Sequence, residues 1–204
     1  MPDLVSARYS VLDPNFSIIG AQANGANPGA PARSTFSWGV MGQLADNAAA
    51  ASGAFLYAAV PVAPGDTFTK VTIWVGNTAA STPTHQAAAI YSGLASSPAL
   101  LSKGTDTTTT AVAAGAAFTY TIPSYTIQPA DCPFGYIYAG YTMTATAVNT
   151  VAGAATAQAA NVNIQYSTNQ PFLAGTSGSA LAGVPAATLT LAASTLHLPV
   201  IVLS

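Results

Sequence analysis

The stretch Phe68-Thr69-Lys70-Val71-Thr72-Ile73-Trp74-Val75-Gly76 decides the fold class of this chain. Val71, Ile73 and Val75 fall on one side; Lys70, Thr72 and Trp74 fall on the other. Successive side chains of a pleated strand point to opposite faces, so the alternation predicts a strand with one face on a core. Branched and aromatic residues, which favour strands, dominate it. Turn signals bracket it, Pro64-Gly65-Asp66 before and Gly76-Asn77 after.

The same design recurs outward from this point. Residues 55–60 read as a strand closed by Pro61 and Pro64, and residues 86–91 as a strand of small side chains following a loop over 80–85. Residues 99–103 read as a short strand. In residues 117–122, Phe118, Tyr120 and Ile122 alternate with Thr119 and Thr121, and residues 135–143 form a long strand with aromatics on both faces. Residues 145–160 read as mostly loop, residues 171–183 as a Gly/Ser-rich loop, and residues 188–203 as one or two closing strands, with Pro199 marking an edge. No stretch carries the period of a long amphipathic helix, and no repeat of 20–50 residues is present. Short strands with turns between them predict an all-β fold: a jelly-roll-like antiparallel β-sandwich of about eight strands over residues 54–204.

Residues 1–53 differ, and they predict an extended N-terminal arm. Strand-like runs at 8–12 and 16–19 flank the turn Asp13-Pro14-Asn15, and a loop rich in Asn, Gly and Pro follows over 21–32. Residues 35–40 read as a further short strand. The Ala-rich residues 46–52 predict one or two helical turns, with Asp46 or Asn47 as the N-cap. Phe16, Ile18, Phe36 and Trp38 are the side chains expected to make assembly contacts.

Charge is the unusual feature. Four basic and six acidic residues make up 5% of the 204 residues, against about 25% in ordinary domains. A free monomer usually keeps a mixed, charged surface that resists association. The expected surface here is Thr, Ser, Ala, Asn and Gln, which suits either a chain covered by neighbouring subunits or a neutral polar shell facing a harsh exterior. The net charge of −2 and the lack of a basic cluster argue against nucleic acid as a partner. Neither a 20-residue apolar run nor a basic and apolar leader is seen, so no membrane partner and synthesis in a cytoplasm are expected.

No constellation of catalytic residues stands out, and an enzyme is not expected. The two histidines are His85, in a Thr-Pro-Thr-His-Gln segment, and His197, in Leu-His-Leu; neither accompanies a Gly-x-Ser-x-Gly elbow. The six aspartates are scattered, mostly at turn signals, rather than paired for glycoside hydrolysis. Cys132 is alone and has no disulfide partner in the chain. No metal-ligand spacing or phosphate loop occurs, so no cofactor or metal is expected. Trp74, Tyr136 and Tyr138 lie opposite the more aliphatic side of their strands. They are candidates for stacking on sugar rings; the alternative is that both faces of their sheets are covered.

The segment Lys70-Val71-Thr72-Ile73-Trp74-Val75-Gly76-Asn77-Thr78-Ala79-Ala80-Ser81-Thr82-Pro83-Thr84-His85-Gln86-Ala87-Ala88-Ala89-Ile90-Tyr91-Ser92 resembles a β-sandwich module of structural proteins from tailed phages that infect actinobacteria. The similarity lies in a strand, an Ala-Ser-Thr-Pro-Thr-His loop, and a strand ending in Tyr-Ser. It extends over roughly residues 55–145, through the Thr-rich approach to Phe118 and the aromatic strand from Tyr136 to Tyr141. It implies a β-sandwich on the virion and brings no catalytic residues. The resulting expectation is a non-enzymatic virion protein, either a decoration protein on the capsid exterior or a minor tail protein. It would form a homo-oligomer held against major capsid or tail proteins. The alternative expectation is a module of a tail tip or fibre that binds host cell-wall glycan.

Overall fold

A computed structural model describes residues 32–35, 44–47, 49–94, 96–108, 110–154, 174–191 and 198–204. Their regular elements are all strands: β1 (Arg33–Ser34), β2 (Leu44–Asn47), β3 (Phe55–Pro61), β4 (Thr67–Trp74), β5 (Ser81–Tyr91), β6 (Leu100–Lys103), β7 (Ala117–Thr126), β8 (Tyr136–Ala147), β9 (Val151–Ala154), β10 (Ala174–Ser177) and β11 (Ile201–Leu203). They form a four-stranded sheet in the order β1-β11-β4-β7, a five-stranded sheet in the order β10-β3-β8-β5-β6, and a small ribbon of β2 and β9. Every pairing is antiparallel.

The pairings nest. β5 pairs with β6, β4 with β7, β3 with β8, and β1 with β11, and successive pairs in this series alternate between the two sheets. The chain therefore crosses the sandwich repeatedly, and strands remote in sequence meet in one core. That core contains Leu56, Val60, Val71, Ile73, Ile90, Ile122, Ile137, Met143, Ile201 and Leu203, all essentially buried. Burial of each such side chain stabilises the fold by about 1.5–3 kcal/mol.

β4 alternates as its sequence predicts. Val71, Ile73 and Val75 are buried, Lys70 and Trp74 are exposed, and Thr72 is half-buried. β3 behaves differently. Leu56, Ala58 and Val60 enter the central core, while Phe55, Tyr57 and Ala59 enter a second apolar cluster on the outer side of the same sheet. Its continuous apolar sequence reflects burial on both faces.

Several expectations are corrected. Residues 81–85 are not loop but the first half of β5. Pro83 is accommodated because β6 pairs only with Ala89, Ile90 and Tyr91, leaving this half at an edge, and because the register with β8 shifts between Pro83 and His85. A proline without an N–H is tolerated at such an irregular edge. The predicted helical turn over 46–52 is replaced at its start by β2, where Asp46 pairs with Ala152. Residues 145–154 are largely strand, completing β8 and forming β9, and β10 lies within the predicted 171–183 loop. The strand after Pro199 is internal, since β11 lies between β1 and β4.

The segment expected as a separate arm also contributes to the sandwich. β1 borders the four-stranded sheet, and the Arg33 side chain donates from Nε and Nη2 to Asp66 Oδ2 and Oδ1 at 2.7 and 3.0 Å. Asp66 Oδ2 also accepts the Ala63 N–H at 2.9 Å. A two-pronged pair of this kind fixes geometry as well as charge. Residues 1–31 and 36–43, which include Phe16, Ile18, Phe36 and Trp38, lie outside the described residues.

Candidate interaction surface

The two sheets present unlike outer faces. On the five-stranded sheet, Phe55, Tyr57, Tyr91, Tyr136 and Tyr138 form one cluster with Leu189, and Leu181 and Leu191 pack against it. The segment 174–191 of the same chain thus covers this face. Tyr91 donates its hydroxyl to Ala186 C=O at 2.8 Å, and its burial pushes the phenol pKa up. Edge-to-face contacts link Phe55 with Tyr91, Tyr57 with Tyr138, and Tyr136 with Tyr138 at centroid separations of 5.3–5.5 Å. Tyr136 and Tyr138, two of the three stacking candidates, are 7% and 0% exposed. Neither offers a ring face to a sugar, because both faces of their sheet are covered.

The outer face of the four-stranded sheet is different. Trp74 is 39% exposed there and lies opposite Ala117. Thr72 lies opposite Thr119, with their hydroxyls 2.8 Å apart, and Lys70 lies opposite Thr121. Farther along, the Thr67 and Thr126 hydroxyls meet at 2.8 Å. Alternation in β4 and β7 places these side chains outward, and threonine suits a strand whose one face meets water. Lys70 brings one charge to this otherwise neutral group of β4 and β7 side chains.

Beside β7 runs a groove of about 450 Å³, walled by Thr105, Thr107 and Thr110 and floored by Phe118, Tyr120 and Ile122. Polar contacts fix its far wall. Asp106 accepts the Gln86 N–H at 2.9 Å and lies 2.6 Å from His85 Nδ1. Gln86, which is fully buried, donates from Nε2 to Thr110 C=O at 2.7 Å and accepts the Tyr120 hydroxyl at 3.1 Å. Thr107 N–H donates to Gln86 C=O at 2.9 Å. Gly183 sits directly against the Asp106 carboxylate at a φ of +68°, a place closed to a side chain on both counts.

The His85–Asp106 pair has the form of a base and its orienting carboxylate. Among the described residues, however, no hydroxyl is hydrogen-bonded to His85, so no triad is assembled there. The pair instead ties the 104–110 loop to β5. His197 lies outside the described residues. Cys132 is buried, and burial first, then the Asp131 and Asp66 carboxylates, push its thiol pKa up, which disfavours the thiolate. Among the described residues no group of three or more His, Cys or carboxylate side chains is placed to hold a metal, and no helix is long and apolar enough to cross a membrane.

No protein-family model matches the chain, and no curated protein matches it either. Of the three stacking candidates, Trp74 is the exposed one. Sequence reasoning missed Gln86 and Asp106, which organise the groove. The one available signal was Gln86 itself, a polar residue opening the apolar run 86–91 and thus destined for a buried hydrogen-bonded position.

Proposed function

We propose that this protein is a non-enzymatic structural subunit of a phage virion, held in place by contacts with its neighbours. The observation that carries this reading is the open outer face of the four-stranded sheet, built of threonines around a half-exposed tryptophan on a chain that is only 5% charged. A surface of this kind loses little on being covered, because few charges need to be desolvated. The nested pairs β1/β11, β3/β8, β4/β7 and β5/β6, alternating between two sheets, support a jelly-roll reading of the sandwich, an architecture used in viral capsids and in lectins. The resemblance to phage β-sandwich modules points the same way. Of the two positions on the particle, the capsid exterior fits a chain that offers one open face.

Cryo-EM of purified particles tests this directly. Density for the sandwich at repeated positions on the capsid or tail is expected, with the Trp74 face against a neighbour. Particles in which the chain is absent, from an infection that expresses it, would refute the proposal. The exposure of Trp74 also favours a second reading, recognition of host cell-wall glycan by a tail module, since an indole face stacks well on a sugar. Calorimetry with soluble cell-wall fragments separates the two, because glycan recognition requires binding that Trp74→Ala abolishes.

A further inference from the structure

The free flank of β7 carries an inference that rests on the assembly reading above. Residues of an antiparallel strand alternate in which neighbour their N–H and C=O groups address. In β7 the even-numbered residues address β4: Val75 N–H bonds Ala116 C=O at 2.9 Å, and Ile73 and Val71 stand opposite Phe118 and Tyr120 in the same phase. Ala117, Thr119 and Thr121 therefore turn their backbone groups away from β4. Among the described residues no strand pairs with that flank. It closes only toward its end, where a Cβ at Gly104 would come within 2.6 Å of Thr121 C=O and where Ser102 Oγ donates to Pro123 C=O at 2.9 Å.

The groove described above opens along this same flank. Its far wall is already held by Asp106, Gln86 and Thr107, so a chain entering it would not have to order that loop. None of its lining residues is charged. An unpaired edge beside a preformed groove is the arrangement that receives an extended peptide as an added strand.

The sequence supplies an occupant. Thirty-two residues precede β1, and none from Pro14 to Ala32 is charged. Within them, residues 16–19, Phe-Ser-Ile-Ile, have the pattern of a short strand. β1 borders the four-stranded sheet at the side opposite β7. Two copies lying side by side would bring the segment leaving β1 of one to the β7 flank of the next, a head-to-tail contact that continues along a ring or row of subunits. We propose that the groove beside β7 receives residues 16–19 of a second copy of this chain as an added strand.

Cross-linking tests the contact in solution, without particles. Full-length Ser17→Cys and Thr119→Cys proteins are mixed and treated with a short bifunctional thiol reagent; the unaltered chain, with only buried Cys132, is the blank. A cross-linked dimer holding one of each variant is expected. Failure of that mixture to cross-link, while a protein carrying both cysteines links internally, would assign the groove to the chain's own segment and overturn the proposal. Absence of any link in either sample would overturn it as well. Thr119→Pro is the second variant, since it removes an outward N–H within the open part of the flank, in the same phase as Pro123. It is expected to weaken self-association in sedimentation by about tenfold, the worth of one hydrogen bond, with only the small drop in thermal stability that loss of the Thr72 contact brings. Self-association that persists unaltered in Thr119→Pro and yields no cross-link would leave the assembly reading standing and remove this one.

Discussion

The sandwich has two outer faces, and its chain treats them in opposite ways. The five-stranded sheet buries a layer of tyrosine and phenylalanine beneath its own segment 174–191, while the four-stranded sheet leaves threonines and Trp74 facing out. Both faces alternate with the same central core, so the difference lies in side-chain chemistry rather than in strand geometry. Aromatic rings on a sheet face require a cover, and the chain provides one. Threonine hydroxyls tolerate water and also tolerate an uncharged neighbour, so the second face is stable alone and available in an assembly.

The largest effect that tests this contrast belongs to the covered face. Tyr91→Ala removes a fully buried ring and its bond to Ala186, and should destabilise the fold by about 3–5 kcal/mol in denaturant unfolding. Tyr91→Phe should lose only about 1 kcal/mol, the hydrogen bond alone. A small effect of the alanine variant would mean that segment 174–191 does not serve as a cover.

Next in size is the tie that fixes the border of the open sheet. Asp66→Ala leaves Arg33 without its two-pronged partner and the Ala63 N–H without its acceptor. A loss of about 3 kcal/mol is expected, the low end for breaking a buried pair because Arg33 keeps some exposure. Amide exchange should rise at β1 and β11 before it rises in β3 or β8.

Alkaline titration probes the buried phenols together. Burial raises the pKa of Tyr91; in Tyr120 and Tyr141 it is likewise the first cause of the upward shift. A phenol whose folded pKa lies above its unfolded value of about 10 binds its proton more tightly in the native state. The stability it contributes is complete below pH 10 and is lost as pH rises further, by up to about 1.4 kcal/mol per group for each pH unit. Phenolate absorbance from these residues should therefore appear with unfolding, not ahead of it. Gradual ionisation in the folded protein would show that water reaches the covered face, at Tyr91, or the central core, at Tyr120 and Tyr141.

The contrast between the faces was only half legible in the sequence. β4 was plain, because its period-two pattern is a local property of one strand with one wet face. The aromatics of β8 showed on both faces, but whether both were covered depended on segment 174–191, which no local pattern connects to them. The first half of β5 has the sequence of a loop because Pro83 is a strong punctuator, and its tolerance depends on an edge and a shifted register set by distant strands. Asp106 and His85 are 21 residues apart, and only the β5–β6 turn and the following loop bring them together. Pairings of that kind are a property of topology rather than of spacing.

The smallest effects are expected on the open face, and they sharpen the contrast most. Thr72→Ala breaks one cross-strand pair with Thr119, a contact worth roughly 0.2–1 kcal/mol. Trp74→Ala removes a much larger ring, yet this ring is 39% exposed and lies opposite a small alanine. If that face is open in the isolated chain, Trp74→Ala should cost no more than about 1 kcal/mol in unfolding, several-fold less than Tyr91→Ala. The comparison is informative because both residues are large aromatics near strand ends of the same sandwich. An equal cost at the two positions would mean that Trp74 is packed by another part of the chain in solution, and the face could not then serve as a contact surface. A small cost in unfolding together with loss of incorporation into particles would separate the two roles within one residue: dispensable for the fold, required for the assembly.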